Sequence, residues 1–159
     1  MNQATPLMAL TYIHRGSHTT IPATASSGLI FLREYMSAID SLEPNPGALL
    51  GKFLTQDAEF VFNGSQPISA GCLLVILGIR NSKLSKYVHE GDIAWEIQHE
   101  LGQNPFATTV IYESTNVVSF KDGERGLDIK KRQLSILELV KDDAEWKLAQ
   151  SRVFVNPIL

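Results

Sequence analysis

The second half of the chain most constrains the fold, because it carries three long strand patterns separated by short turns. Residues 106–120 are rich in Thr, Val and Ile, and 127–140 and 145–156 are two further strand patterns. The intervening segments, 121–124 and 141–143, contain the Asp and Gly residues that tight turns favour. Strands joined by such short turns pair antiparallel, so this half predicts a meander of long strands.

The first half of the chain favours helices. Ser26 and Ser27 can cap a helix start. Apolar residues then recur at helical spacing, and they are Leu29, Leu32, Tyr35, Met36 and Ile39. The pattern predicts a first helix that ends near Leu42, before the Pro and Gly residues of 44–47.

Shorter elements are predicted between the first helix and the strands. In chain order they are a short helix over 48–54, a strand over 57–62, a turn over 63–67, a buried helix over 70–85 and a strand over 92–101. Helices that come first and strands that come last predict an α+β fold. The N-terminal helices are then expected on the concave face of a strongly bent antiparallel sheet.

The chain has 159 residues, which favours one domain over 26–159. Residues 1–25 are rich in Thr, Ser, Ala and Pro without a sustained period, and they predict an extended arm. His14 and His18 lie four residues apart in this arm, but Gly16 argues against a helix and no third ligand is near. We therefore expect no metal site.

Composition limits the partners and the compartment. The net charge is −3 and the only basic cluster is 130–132, so no nucleic-acid binding is expected. No apolar run approaches the ~20 residues that span a bilayer, so no membrane partner is expected. A single cysteine excludes an internal disulfide and suits a reducing compartment. These features predict a cytoplasmic protein.

Two segments resemble a known superfamily. Residues 53–60, FLTQDAEF, resemble the F-x-x-D-A-x-F signature of SnoaL-like proteins, and Trp146-Lys147-Leu148 resembles the closing W-K-I strand of the same proteins. The order of elements over 26–156 also matches. The chain thus resembles the nuclear transport factor 2-like (SnoaL-like) superfamily, which includes scytalone dehydratase, limonene epoxide hydrolase, ketosteroid isomerases, polyketide cyclases and non-catalytic members. The resemblance implies a cone-shaped fold with an apolar closed end, and a homodimer formed through the exposed sheet face, to which Ile111, Val117 and Leu137 could contribute.

The resemblance also suggests site residues. Gln98-His99, followed by Gly102, is similar to a segment of scytalone dehydratase whose His lines the pocket. Asp40 is similar to the Asp that ends the first helix of that enzyme. The Asp-Arg-Asp relay of limonene epoxide hydrolase is not matched, because Arg152 stands where its last Asp would fall. The Asp base of ketosteroid isomerase is not matched at Asn63.

The predicted site is centred on His99, which could act as acid or base. Asp40 would orient it, Tyr112 would donate a hydrogen bond to a substrate oxygen, and Arg152 would stabilise an enolate or alkoxide. The residues predicted to bind substrate are Tyr35, Asn63, Asn116, Arg132, Leu134 and Phe154. The strand residues follow from period two if Leu134 points inward, and a slip of one residue would invert the strand assignments.

Structural alternatives stand beside these roles. His99 could be an interior or edge histidine, Asp40 could simply close its helix, and Tyr112 could be a packing residue. Arg152 could pair with Glu113 or Glu138. His89 is a weaker candidate for the pocket wall.

The resemblance and the ionisable residues together predict a cofactor-independent isomerase, cyclase or dehydratase. Its substrate would be an apolar polycyclic or polyketide- or terpenoid-like intermediate of specialised fungal metabolism. The alternative is a non-catalytic module of the same fold that binds a small molecule or a protein.

Overall fold

The computed structural model describes residues 10–100, 102, 104–123 and 127–157. Within them, helices pack on one face of a seven-stranded sheet. The helices are α1 (Ser27–Asp40), α2 (Pro46–Leu50) and α3 (Ala70–Lys83), with 3-10 turns at His18–Thr20 and Gly51–Phe53. The strands are β1 (Thr11–Arg15), β2 (Leu54–Phe62), β3 (Ile68–Ser69), β4 (Leu84–Gln98), β5 (Thr108–Phe120), β6 (Ile129–Asp142) and β7 (Glu145–Pro157). The predicted α+β class is confirmed.

The sheet order is β1-β4-β5-β6-β7-β2-β3. The predicted meander of β5, β6 and β7 is antiparallel, as expected. The sheet is nevertheless mixed, because β2 pairs parallel to β7. β2 joins the far edge of the meander beside β7, and α3 then carries the chain back to β4 on the other side.

The sheet bends because its pairing shifts at several bulges. Register shifts fall between Gly91 and Ile93 in β4, and between Glu138 and Leu139 in the β6–β7 pair. Bulges of this kind kink a strand and increase its twist. The helices pack on the resulting concave face, where Leu32 and Met36 of α1 are fully buried. The predicted cone with helices on its concave face is therefore present.

Two elements differ from the prediction. β4 begins at Leu84 instead of residue 92, and in this added part buried Leu84 and His89 line the cavity whereas Lys86, Val88 and Glu90 are exposed. The helix predicted to be buried, α3, buries only one side, since Val75, Ile76 and Ile79 are exposed. The apolar run over α3 predicted a helix because it is too long for a strand. It did not indicate which side of that helix faces the sheet.

The N-terminal segment contributes to the domain. β1 pairs antiparallel with β4, and His18 is only 1% exposed. Parts of several predicted elements lie outside the described residues. They are residues 1–9 of the arm, Leu101 at the predicted strand end, Gln103 and Glu124 in predicted turns, and the last two residues of the predicted domain. No helix in the described part of the chain is long and apolar enough to cross a membrane.

Candidate active site

A cavity of about 490 Å³ lies between the helices and the concave face of the sheet. This volume is in the range of pockets that hold small organic ligands. Its deep end is formed by buried, mostly apolar side chains, among them Tyr35, Met36, Phe60 and Leu137. The exposed lining residues mark the mouth, and they are Phe62, Asn63, Lys83, Phe120 and Lys131. The cavity lining is therefore mainly apolar, but buried polar residues also line it, and its mouth combines aromatic and charged side chains.

His89 lines this cavity and is held by Asp40. Its Nδ1 lies 2.5 Å from Asp40 Oδ1, and its backbone N–H donates to Asp40 Oδ2 over 3.1 Å. A carboxylate can only accept, so Nδ1 carries the ring proton in the neutral histidine. The remaining nitrogen, Nε2, is left with its lone pair.

Nε2 of His89 is buried and has no hydrogen-bond partner among the described residues. A buried polar atom without a partner costs free energy. Seven buried side-chain atoms among the described residues lack one, and His89 is the only one of their residues that lines the cavity. Here the atom belongs to a side chain of the cavity wall, 1% exposed. The arrangement leaves the Nε2 lone pair of a cavity-lining histidine without a partner among the described residues.

A second histidine approaches Asp40 from the N-terminal segment. His18 Nε2 lies 3.6 Å from Asp40 Oδ2, and its Nδ1 lies 2.9 Å from the Tyr112 hydroxyl. The backbone N–H of His18 also donates to that hydroxyl, over 2.9 Å. A single tautomer satisfies these contacts, with Tyr112 donating to Nδ1 and the proton on Nε2 facing Asp40. Tyr112, His18, Asp40 and His89 thus form one buried chain of polar groups.

Burial shifts the pKa values of His18 and Tyr112 in the direction that favours their neutral forms. Desolvation lowers the pKa of His18, with Asp40 opposing the shift and His89 adding to it. Desolvation also raises the pKa of the Tyr112 hydroxyl. His18 and Tyr112 are therefore neutral at neutral pH and act as hydrogen-bonding groups around the carboxylate.

α3 holds the end of α1 where Asp40 lies. Nη2 of Arg80 donates to the carbonyl of Ile39 over 2.7 Å, and Asn81 Nδ2 donates to the carbonyl of Glu43 over 2.7 Å. The Arg80 guanidinium also stacks on the Tyr87 ring, 3.9 Å from its centroid. A cation at the carboxyl end of a helix interacts favourably with the helix dipole. These contacts fix the position of Asp40 relative to β4.

No protein-family model matches the sequence, and no curated protein matches it significantly. Solved structures do match. A scytalone dehydratase-like protein from Novosphingobium aromaticivorans superposes with a TM-score of 0.63 at 11% identity, over 82% of each chain. LinA-type3 hexachlorocyclohexane dehydrochlorinase from Novosphingobium barchaimii gives 0.59 at 13% identity, over 83% of this chain and 88% of that one. BvnE pinacolase from Penicillium brevicompactum gives 0.57 at 10% identity, over 79% and 83%.

This chain has the nuclear transport factor 2-like fold. At these identities the likeness shows the fold alone, so the chemistry must be argued from the site. Within the nuclear transport factor 2-like cone, the Asp40–His89 pair lies at the end of the first helix and on the facing strand. Within the described residues, no group of three His, Cys, Asp or Glu side chains could hold a metal ion.

Two of the residues predicted to be catalytic lie in this chain of polar groups, and two do not. Asp40 holds His89 instead of His99, and Tyr112 bonds His18. His99 does not line the cavity, because its Nε2 lies 2.6 Å from Thr109 Oγ1 on the convex face of the sheet.

Arg152 lies on the convex face as well. It pairs with Glu138 over 3.3 Å, which is one of the structural alternatives considered for it. The same glutamate accepts a hydrogen bond from Thr109 over 2.6 Å. His99 and Arg152 are thus linked to each other through Thr109 and Glu138, and not to the cavity.

Three of the residues predicted to bind substrate line the cavity: Tyr35, Asn63 and Asn116. Arg132, Leu134 and Phe154 do not, because the parity assumed for β6 and β7 is the reverse of the observed one. The cavity is lined from these strands by Lys131, Gln133, Ser135, Leu137, Ser151, Val153 and Val155. Leu137 therefore faces inward and is not part of the exposed sheet face.

The reversal has a physical reason. Leu134 and Ile136 are half-buried on the convex face, whereas the polar Gln133 and Ser135 are buried on the concave face, where Gln133 donates to Ser135 over 3.0 Å. A polar cavity wall thus inverts the usual rule that the apolar side of a strand faces inward. The predicted alternation of inward and outward residues along β6 and β7 was correct, but the set of residues assigned to the cavity was the wrong one of the two.

In the sequence, His89 is only a weaker candidate for the pocket wall, and His18 falls in the predicted arm. His89 could have been found by extending the β4 pattern back to Leu84, which places His89 opposite Asn116 in the register. His18 lies in a segment without periodicity, so no local pattern indicates that it is buried.

Proposed function

We propose that this protein is a cofactor-independent acid–base enzyme, a lyase of the dehydratase kind or an isomerase or cyclase. Its substrate would be an apolar polycyclic or polyketide- or terpenoid-like intermediate of specialised fungal metabolism. The observation that carries the proposal is the unpartnered Nε2 of His89 in the cavity wall, with Nδ1 held by Asp40.

The chemistry follows from that geometry. Nε2 of His89 takes a proton from a substrate carbon next to a carbonyl or a leaving group, and the electron pair of the C–H bond forms a new π bond. The leaving group then departs with its bonding electrons, or the carbonyl oxygen takes up the charge as an enolate. Asp40 stabilises the imidazolium that forms. The proton on Nε2 is then returned to the leaving group or to another carbon.

The structural relatives support this class of reaction. The names dehydratase and dehydrochlorinase denote eliminations, and the name pinacolase denotes a rearrangement. Each of these reactions moves protons without redox change, which a histidine and a carboxylate can do. The apolar part of the cavity lining, which includes Met36, Phe60 and Leu137, suits a hydrocarbon-rich substrate.

A simple elimination tests the proposal. The probe is 5-nitrobenzisoxazole, a small aromatic compound whose ring opens when a base removes one proton, giving a coloured phenolate. We expect the protein to accelerate this reaction over free imidazole, and His89→Gln and Asp40→Asn to lower the rate by about 10²–10⁴-fold. Initial rates at several pH values provide the measurement.

The matched control is His99→Gln, which changes a histidine on the convex face of the sheet. Its rate should stay within about twofold of the wild type, because general-base catalysis needs contact with the proton that is abstracted. Equal rates for His89→Gln and wild type, or an equal loss in His99→Gln, would contradict the proposal. Probe binding without acceleration would favour the alternative, a non-catalytic binding module.

The proposal includes a homodimer formed through the convex face of the sheet. Phe154 on this face is 39% exposed and Val88 is 36% exposed, and half-buried Ile111, Leu134 and Ile136 lie between them. Light scattering during gel filtration should give twice the chain mass, and a Phe154→Glu variant should give the monomer mass. A monomeric wild type would contradict this part of the proposal.

A further inference from the structure

The wall of the cavity carries charge of one sign. Arg80, Lys83 and Lys131 line it, and no Asp or Glu is among the described residues that do. This is unexpected in a chain whose net charge is −3. Asp40 lies behind His89, where two histidines already engage its carboxylate.

Both lysines lie at the mouth of the cavity. Lys83 is the last residue of α3, and Lys131 lies near the start of β6, and both side chains are exposed. Neither has a carboxylate within 4.0 Å among the described residues, whereas the neighbouring Lys86 and Arg132 pair with Asp128 and Asp92. Their charges are therefore available to a ligand.

Arg80 is less exposed than the two lysines, and its guanidinium already donates hydrogen bonds within the protein. It donates to the carbonyls of Ile39 and Ser41 and to Asn81 Oδ1. Its charge still contributes to a positive potential inside the cavity, because a cleft with low-dielectric walls focuses the field of the charges that line it. The potential and the apolar depth together select for a ligand with an anionic end and a hydrocarbon body.

We propose that the ligand of this cavity is an apolar organic anion, such as an aromatic or polycyclic carboxylate. Its charged group lies between Lys83 and Lys131 at the mouth, and its carbon skeleton reaches inward to His89. The inference rests on the proposed function only in taking this cavity as the substrate site. It narrows the substrate class from apolar compounds to apolar acids.

A matched pair of fluorescent probes tests the inference. 1-Anilinonaphthalene-8-sulfonate carries one anionic group, and N-phenyl-1-naphthylamine has the same skeleton without it. We expect the anionic probe to displace the neutral one. The double variant K83Q/K131Q should weaken binding of the anion by about tenfold, since two exposed charge contacts are lost, and should leave the Kd of the neutral probe within about twofold.

Lys130→Gln is the matched control, because Lys130 is the exposed neighbour of Lys131 on β6 but does not line the cavity. The anion should keep its affinity for this variant. The inference is overturned if K83Q/K131Q weakens both probes alike or neither, if K130Q weakens the anion as strongly, or if the two probes do not compete.

This experiment is separate from the kinetic one. His89→Gln should keep the preference for the anionic over the neutral probe, because both lysines remain, while it lowers the rate of proton abstraction. If K83Q/K131Q does not weaken the anionic probe selectively but elimination still depends on His89, only the ligand class is refuted. If K83Q/K131Q weakens the anionic probe selectively but elimination does not depend on His89, only the proposed function is refuted.

Discussion

Asp40 is the residue on which the arrangement depends. Its two oxygens face the Nδ1 and backbone N–H of His89 and the Nε2 of His18. The two histidines differ in whether a ring nitrogen is left without a polar neighbour. Both ring nitrogens of His18 have polar neighbours, whereas Nε2 of His89 has no partner among the described residues. His89 is therefore suited to react, and His18 is suited to position Asp40.

His18 should make stability depend on pH. Burial lowers its pKa, so between that lowered pKa and the unfolded value near ~6.5 the unfolded chain binds more protons than the native one. The contribution of His18 to the free energy of unfolding is therefore full above about pH 6.5 and falls as the pH decreases through this window.

His18→Asn tests this dependence by urea unfolding at several pH values. The variant should lose about 1–3 kcal/mol at neutral pH, because buried hydrogen bonds are broken. The difference in free energy of unfolding between wild type and variant should shrink as the pH falls. A difference that stays constant with pH would contradict the buried, neutral state of His18.

At the scale of elements, α1 is held at both ends by side chains from other elements. Glu96 of β4 accepts a hydrogen bond from the backbone N–H of Gly28 over 3.0 Å near the start of the helix, and Arg80 of α3 donates to the carbonyls at its end. An anion at the start and a cation at the end both complement the helix dipole. The helix therefore presents Asp40 in one position.

Gly91 in β4 is required by the close approach of Tyr112. A Cβ at this position would overlap the Tyr112 hydroxyl and ring, which cross the strand to reach His18. Gly91→Ala should therefore lower the free energy of unfolding by about 1–3 kcal/mol, as overpacking does in buried sites. Thermal or urea unfolding gives the measurement.

Gly78 in α3 is the control for this substitution. A Cβ there meets nothing within 4 Å, and Ala is favoured over Gly in a helix, so Gly78→Ala should stabilise the protein by about 0.5–1 kcal/mol. If Gly91→Ala were as stable as the wild type, the packing of Tyr112 against β4 would be wrong.

The sequence predicted most elements but not the side of the sheet that faces the cavity. The first helix was placed from its 3.6-residue period, and the last strands from their turns, to within about two residues, because both signals are local. The concave side of β6 was missed because buried Gln133 and Ser135 form a polar wall. Only the tertiary packing shows which of two half-buried sides the helices cover.

At the scale of the whole molecule, the site is assembled from segments far apart in the chain. The N-terminal segment provides His18, the end of α1 provides Asp40, and neighbouring strands provide His89 and Tyr112. The resemblance predicted the fold and the place of Asp40, but it associated Asp40 with the wrong histidine. A contact between positions 40 and 89 depends on the bend of the sheet, which no local pattern encodes.

The central claim is that Asp40 keeps the proton of His89 on Nδ1 and leaves Nε2 free as a base. The most direct measurement is ¹⁵N NMR of the His89 ring in protein labelled at histidine, with His89→Gln used to assign the signal. We expect Nδ1 to carry the proton and Nε2 to be unprotonated in the neutral imidazole, and we expect Asp40→Asn to mix the two tautomers. A His89 whose Nε2 carries the proton in the wild type would contradict the claim.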